Sequence, residues 1–239
     1  MTNYIYKFDK ETCWYKNSCS KYNTSECDSN CLRYMEIHYL MYQSEIPLMR
    51  QNPKILVPVK EDINNFEFLK SIKDDIVNFV KNGESLYIFS ENFGNGKTTW
   101  AIKIMLKYFD EIWAGNGFKC RGVFVSVPGF LTKLKENISR KDEAFEQLRI
   151  KIAESDLVVW DDIGAVKLGD YDHTNLLAYV DNRLINQKAN IYTGNLSDYN
   201  GALSMALGKR LASRIWNESS QVKLVGPDWR GFDGSITDY

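Results

Sequence analysis

Ser90-Glu91-Asn92-Phe93-Gly94-Asn95-Gly96-Lys97-Thr98-Thr99 follows directly on the apolar run 86–89 and opens a helix-like stretch. A loop of this kind turns backbone N–H groups and a helix N-terminus toward an anion, which suits the α- and β-phosphates of a nucleotide. Residues 92–99 would form the cradle. Lys97 would reach the β/γ-phosphates, and the Thr98 hydroxyl would take one site on Mg²⁺. The P-loop pattern G-x-x-x-x-G-K-[ST] has glycine where this chain has Glu91. That glycine serves the entry turn, so its loss should alter the turn more than the cradle around Gly94 and Gly96. The bland alternative is a Gly-rich strand-to-helix turn with a solvated lysine.

A second motif bears on the choice. Asp156-Leu-Val-Val-Trp160-Asp161-Asp162-Ile-Gly164 is an apolar run ending in two carboxylates, as expected of a buried parallel strand whose C-terminal tip meets ligand. Asp161 would hold Mg²⁺, directly or through water. Asp162 would orient and polarise the attacking water, a task usually given to the longer glutamate. Alone, such a run also fits a buried strand entering an acidic turn. Downstream of a P-loop it completes the two-part signature of a Mg²⁺-dependent nucleoside triphosphate site.

The chain of 239 residues can hold one α/β domain with a small appendage. Lys+Arg 30 against Asp+Glu 31 leaves it near neutral, so any nucleic-acid surface must be local. No stretch approaches the roughly 20 consecutive apolar residues that span a bilayer, and the start lacks the layout of a signal peptide. A cytoplasmic protein with reduced cysteines and no membrane partner is expected. Four of the five cysteines crowd the start as Cys13, Cys19, Cys27 and Cys31. In a reducing compartment such a cluster reads as a Zn²⁺ site more readily than as two disulfides, with free thiols in a helical appendage as the alternative. His38 is a spare ligand that would more readily pack or face water, and Cys120 reads as structural.

Pro47, Pro53 and Pro58 interrupt all helical periodicity and divide the chain into residues 1–50, a linker 51–60 and residues 61–239. Residues 32–42 read as a helix with an aromatic and methionine face, and 61–81 as an amphipathic helix ended by Asn82-Gly83. Strands at 86–89, 123–127, 157–160, 190–193 and 221–225 then alternate with helices, the rhythm of a parallel sheet covered on both faces. Asn195, at the tip of one strand, could touch the γ-phosphate or the lytic water. Arg210 and Arg214 lie one turn apart in a helix read over 207–216.

Asp161-Asp-Ile-Gly164, Thr193-Gly-Asn195, Arg210-Leu-Ala-Ser-Arg214 and Gly226-Pro-Asp-Trp-Arg230, in this order after the P-loop, resemble the AAA+ ATPases of the DnaC/DnaI helicase-loader family. Cys13-Trp-Tyr-Lys to Cys31-Leu-Arg-Tyr-Met resembles the cysteine-bearing N-terminus of phage-encoded members. The resemblance implies a five-stranded P-loop AAA+ α/β fold with a small N-terminal zinc-binding helical domain. It implies Walker A at Gly94, Gly96, Lys97 and Thr98, Walker B at Asp161 and Asp162, sensor 1 at Asn195, and an arginine finger at Arg214 or Arg210, with Arg230 near a sensor-2 position. It further implies ATP shared between subunits of a homo-oligomer, a replicative hexameric helicase bound through residues 1–50, and single-stranded DNA. Lys133, Lys135, Arg140 and Lys141 lie where related ATPases contact a strand's phosphates, although Glu136, Asp142 and Glu143 interleave them as in a solvated charged face. Two other readings stay open: a helper ATPase for transposition on duplex DNA, and a nucleotide-gated adaptor that scarcely hydrolyses ATP.

Overall fold

The structure, a computed structural model, describes residues 8–115 and 117–229. After helix α1 (Leu32–Gln43) and a linker containing the 3₁₀ turn Leu48–Arg50, the chain runs α2 (Ile63–Asp74), α3 (Ile76–Lys81), β1 (Ser85–Phe89), α4 (Lys97–Ile112), β2 (Gly122–Ser126), α5 (Val127–Glu136) and α6 (Glu143–Glu154). It continues through β3 (Leu157–Ile163), α7 (Asp170–Ile185), β4 (Ala189–Gly194), α8 (Ala202–Leu207), α9 (Lys209–Asn217) and β5 (Ser220–Lys223). All strand pairings are parallel, in the order β2-β3-β4-β1-β5. β1 therefore sits between β4 and β5, and a cleft opens at the carboxyl ends of β1, β3 and β4, where open α/β sheets take ligands.

The sheet is covered on both faces, and its inner strands are buried along almost their whole length with apolar side chains at most positions. Period-two alternation sends Leu86, Ile88, Val159 and Ile191 to one face, against α1 to α4, and Tyr87, Phe89, Val158, Trp160 and Tyr192 to the other, against α5 to α9. A fully buried side chain of this size contributes about 1.5–3 kcal/mol. Ile37, Leu40, Met41 and Ile46 belong to the first of these clusters, so α1 shares the core of the sheet. The Phe124 N–H donates to Ser44 O at 2.7 Å, which ties the chain after α1 to β2.

Two helices break where one was expected. The 61–81 helix ends at Asp75 (φ −110°, ψ 28°), whose carboxylate accepts from Asn78 Nδ2 at 2.7 Å as the next helix starts. Aspartate competes with the helix for its own backbone, which makes it a good terminus and a poor interior residue. The 207–216 helix is interrupted at Gly208, whose φ of +78° suits glycine.

Beneath the sheet Arg183 is buried with no carboxylate partner. Its guanidinium donates to the carbonyls of Ile152, Ser155, Asp156 and Ala189 and, through Nε, to Asn190 Oδ1, at 2.7–3.2 Å. Burial lowers its pKa to about 10. The side chain thus joins the end of α6 to the starts of β3 and β4 through donors that lysine cannot duplicate. Arg183→Met leaves those carbonyls unpaired, each buried orphan costing about 1–3 kcal/mol, and is expected to lower stability by several kcal/mol. Thermal denaturation followed by circular dichroism checks it, with an unchanged midpoint as the contrary result.

Candidate nucleotide site

The loop after β1 is shaped by its own polar side chains. Ser90 Oγ accepts from the Asn92 N–H at 3.0 Å and from Asn95 Nδ2 at 2.5 Å, closing a turn of the kind serine makes with its neighbours. Positive φ falls on Gly94 (+67°) and Gly96 (+98°), whereas Glu91 is not among the residues with positive φ. The entry turn thus does not require glycine at position 91. Glu91 points outward and pairs with Lys223 at 3.2 Å. Asn92 and Asn95 tie the loop to the chain after β5, donating to Val225 O at 3.0 Å and Leu224 O at 3.1 Å. Trp229 N–H donates to Gly94 O at 2.9 Å.

Gly96 caps α4, and Lys97 is the helix's first residue. Lys97 Nζ donates to Asn92 O at 2.8 Å and Asn95 Oδ1 at 3.1 Å, so the buried ammonium bridges its own loop. One residue on, Thr98 Oγ1 donates to Asp161 Oδ1 at 2.7 Å, linking the P-loop to the tip of β3.

The strand β3 runs further than expected, through both carboxylates. Its pairing with β4 shifts register between Trp160 and Ile163, and Asp162 within that irregularity has φ +59°. Such bulges re-aim a side chain, and aspartate tolerates the left-handed region better than a longer or branched residue. The strand alternation that would separate two successive carboxylates is thereby broken. Asp161 stays buried, its Oδ1 also accepting from Thr193 Oγ1 at 2.7 Å, while Asp162 lines the cleft. The same threonine accepts the Asp162 N–H at 3.1 Å.

The cleft, about 450 Å³, brings together residues 93–99 of the loop and helix start, Asp162, and Asn195 just past β4. Gly194 precedes Asn195, and a side chain there would lie 2.5 Å from Tyr87 Oη and 2.8 Å from Ile163 O. Glycine at 194 therefore lets β4 deliver Asn195 between β1 and β3. A buried carboxylate joined to a hydroxyl is a hard oxygen donor set that fits Mg²⁺.

Residues of the linker form the opposite wall: Arg50, Asn52, Pro53 and Lys54 line the cleft, and Arg50 Nη1 pairs with Asp161 Oδ2 at 2.9 Å. Neither Arg50 nor Thr193 was expected here. The contact from Arg50 spans 111 residues and carries no local pattern, although a cation between prolines at the cleft's edge is its one signal.

Arg210 and Arg214 lie away from the cleft on α9. Both pair with Asp181 of α7, at 3.1 and 2.8 Å, and Arg214 also approaches Glu218 at 3.8 Å. On α5, Lys133 is exposed, while Lys135 pairs at 2.7 Å with the buried carboxylate of Asp172. Arg140 and Lys141 are exposed in the turn before α6. Arg230 lies outside the described residues.

At the other end of the chain, burial raises the Cys13 thiol above its ordinary value, and Cys31, Cys19 and Cys27 add to the rise, so the four thiols share one neighbourhood. They do not converge. Among the described residues no three His, Cys, Asp or Glu side chains stand where they could share a metal ion, contrary to the expectation of a formed Zn²⁺ site. Residues 13–31 are a run of turns closed by their own backbone bonds, such as Cys19 N–H to Tyr15 O at 2.8 Å. His38 packs between Trp14 and Tyr34, its ring stacked at 5.7 Å on the latter, and burial lowers its pKa. Burial pushes the Cys120 thiol up to about 11, which makes it a poor nucleophile or ligand.

The parallel sheet in the order 2-3-4-1-5, with a phosphate-type loop after β1 and paired carboxylates on β3, is the P-loop AAA+ fold. No protein-family model matches the chain, and no curated protein matches it in sequence. Solved structures are similar in fold. The DnaC helicase loader superposes with a TM-score of 0.61 at 18% identity, over 75% of this chain and 100% of that one. DnaI superposes with a TM-score of 0.61 at 16% identity, over 76% and 96%. DnaA from Aquifex aeolicus bound to AMPPCP gives 0.57 at 17% identity, over 73% of this chain and 51% of that one. No helix among the described residues is long and apolar enough to cross a membrane.

Proposed function

We propose that this chain is an Mg²⁺-dependent ATPase that loads a replicative hexameric helicase onto single-stranded DNA. The observation that carries the ATPase part is the Thr98–Asp161–Thr193 hydrogen-bond junction, which sets a hydroxyl and a buried carboxylate together beneath a glycine loop. The loader part rests on the ordered motifs of the sequence and on a fold shared with the whole of the DnaC chain.

In this reading ATP lies along residues 92–99. Lys97 exchanges its two loop acceptors for β- and γ-phosphate oxygens, a charge-assisted gain over neutral carbonyls. Mg²⁺ between Thr98, Asp161 and the phosphates would neutralise charge in the transition state. Asp162, exposed to the cleft by the bulge, accepts a proton from the attacking water, and Asn195 orients that water. Arg214 completes the site of a neighbouring subunit in a homo-oligomer, with Arg210 as the other candidate finger. Lys133 and Lys135 meet DNA phosphates, Lys135 after leaving Asp172.

Residues 1–50 would dock on the helicase. For this head we propose a structural Zn²⁺ on Cys13, Cys19, Cys27 and Cys31, a set that closes when the ion draws the thiolates together, since metal binding and local folding are coupled. Purified protein should carry close to one zinc per chain by elemental analysis. Chelation should loosen residues 8–31 and leave the sheet folded. A metal-free head that resists proteolysis equally well would refute the site.

The loader assignment is tested by recovery of partners from native cytoplasm on the full chain with ATP and Mg²⁺. A hexameric helicase should be recovered, and single-stranded DNA should promote assembly of the chain. A transposase in its place, with duplex DNA driving assembly, would replace the loader by a transposition helper.

A further inference from the structure

Arg50 has no part in the chemistry above, yet its guanidinium occupies the one carboxylate on which the metal site depends. Oδ1 of Asp161 is taken by Thr98 and Thr193, and Oδ2 by Arg50 at 2.9 Å. The Asp161 side chain is 2% exposed, whereas that of Arg50 is 47% exposed, so the cation reaches in from the surface. Its backbone is set by the turn Leu48–Arg50, with Arg50 N–H donating to Pro47 O at 2.7 Å, and by Gln51 Nε2 donating to Ile46 O at 3.1 Å.

The same linker touches the site a second time. A side chain on Gly96 would lie 2.7 Å from Leu56 Cδ1, so Leu56 rests directly on the P-loop. Leu48 (83% exposed), Met49 (97%) and Ile55 (89%) hold the segment to nothing. Arg50 is therefore its principal polar tie between the turn and Leu56. A divalent cation at Thr98 and Asp161 would stand beside a guanidinium paired to the same carboxylate, and like charges a few ångströms apart in a half-buried site repel.

We propose that Arg50 is a latch exchanged for Mg²⁺: it neutralises Asp161 before the metal binds, leaves when the metal arrives with nucleotide, and so frees the linker that crosses the cleft between α1 and α2. This rests on the Mg²⁺–nucleotide reading of the cleft. It makes the linker itself report site occupancy, because releasing Arg50 unpins residues 47–58 where they cross the cleft.

The test titrates MgCl₂ into full-length protein with a fluorescent N-methylanthraniloyl ATP, and separately follows chymotryptic cleavage within residues 47–58. Arg50→Ala should lower the half-saturating Mg²⁺ concentration by about tenfold, within the usual range of coupling between sites. Arg50→Lys, with one charge and no fork, should fall between. Wild-type linker should be cleaved faster with Mg²⁺ and nucleotide than without, and Arg50→Ala linker equally fast in both. An unshifted Mg²⁺ midpoint with normal nucleotide binding would overturn the latch alone. Weaker nucleotide binding by Arg50→Ala at saturating Mg²⁺ would also overturn it, by making Arg50 a phosphate ligand. A wild-type chain that takes up no nucleotide at any Mg²⁺ concentration would remove the underlying reading, and the latch with it.

Discussion

Arg214→Ala is expected to bind ATP as tightly as the parent and to lose about 10³-fold or more of its hydrolysis rate, the scale of arginine fingers supplied across an interface. In one chain Arg214 is held by Asp181 at 2.8 Å and lies outside the cleft. A loss of turnover without loss of affinity is therefore hard to explain within a single subunit. Mixing Arg214→Ala with Lys97→Ala should restore part of the rate, because hybrid interfaces pair an intact phosphate loop with an intact finger. Arg210 shares the Asp181 partner at 3.1 Å, which gives an internal control. If the pair served only to fasten α9 to α7, both alanine variants would lower stability alike and mixing would rescue neither. Hydrolysis by Arg214→Ala at the parent rate moves the finger to Arg210.

How much of this was legible in the chain follows from the range of the interactions. The strands were readable because each is an apolar run bounded by turn residues, and the parallel order followed from helices lying between them. The P-loop, Asp161, Asp162 and Asn195 were readable because each falls at the end of such a strand, where the topology must gather them. Other features depend on contacts distant in sequence. Thr193 looked like one more strand residue, and only β3–β4 pairing sets its hydroxyl on Asp161. Arg50 is the last residue of the segment read as the head, and only the folded chain lays it across the cleft. The bulge at Asp162 has no signature beyond two adjacent aspartates, yet it turns the second of them toward the site. The break at Asp75 has its one local signal in the Asp74-Asp75 pair, inside apolar periodicity that otherwise reads as a single helix. The cysteine cluster marks the limit of spacing as a signal, since four thiols close in sequence come near one another without being aimed at a common point in the metal-free chain.

The central claim is that residues 92–99 and the β3 carboxylates form one Mg²⁺–ATP site, and it makes binding and hydrolysis separable. Lys97 contributes the ammonium at the phosphates, where two of its present contacts are to neutral oxygens at 2.8 and 3.1 Å. Its loss removes a charge-assisted contact about twice as strong as a neutral one, from a site that offers no other buried lysine among the described residues. Asp162→Asn keeps the shape but replaces one acceptor oxygen by a donor and removes the negative charge, and with it the basicity needed to accept a proton, a change of about 10²–10⁴ in rate for general bases. Calorimetric titration of ATP with Mg²⁺ into the parent, Lys97→Ala and Asp162→Asn, with phosphate release measured on the same samples, is the most direct check. The account predicts no detectable binding by Lys97→Ala, and parent-like binding without turnover by Asp162→Asn; undiminished ATP binding by Lys97→Ala would contradict it.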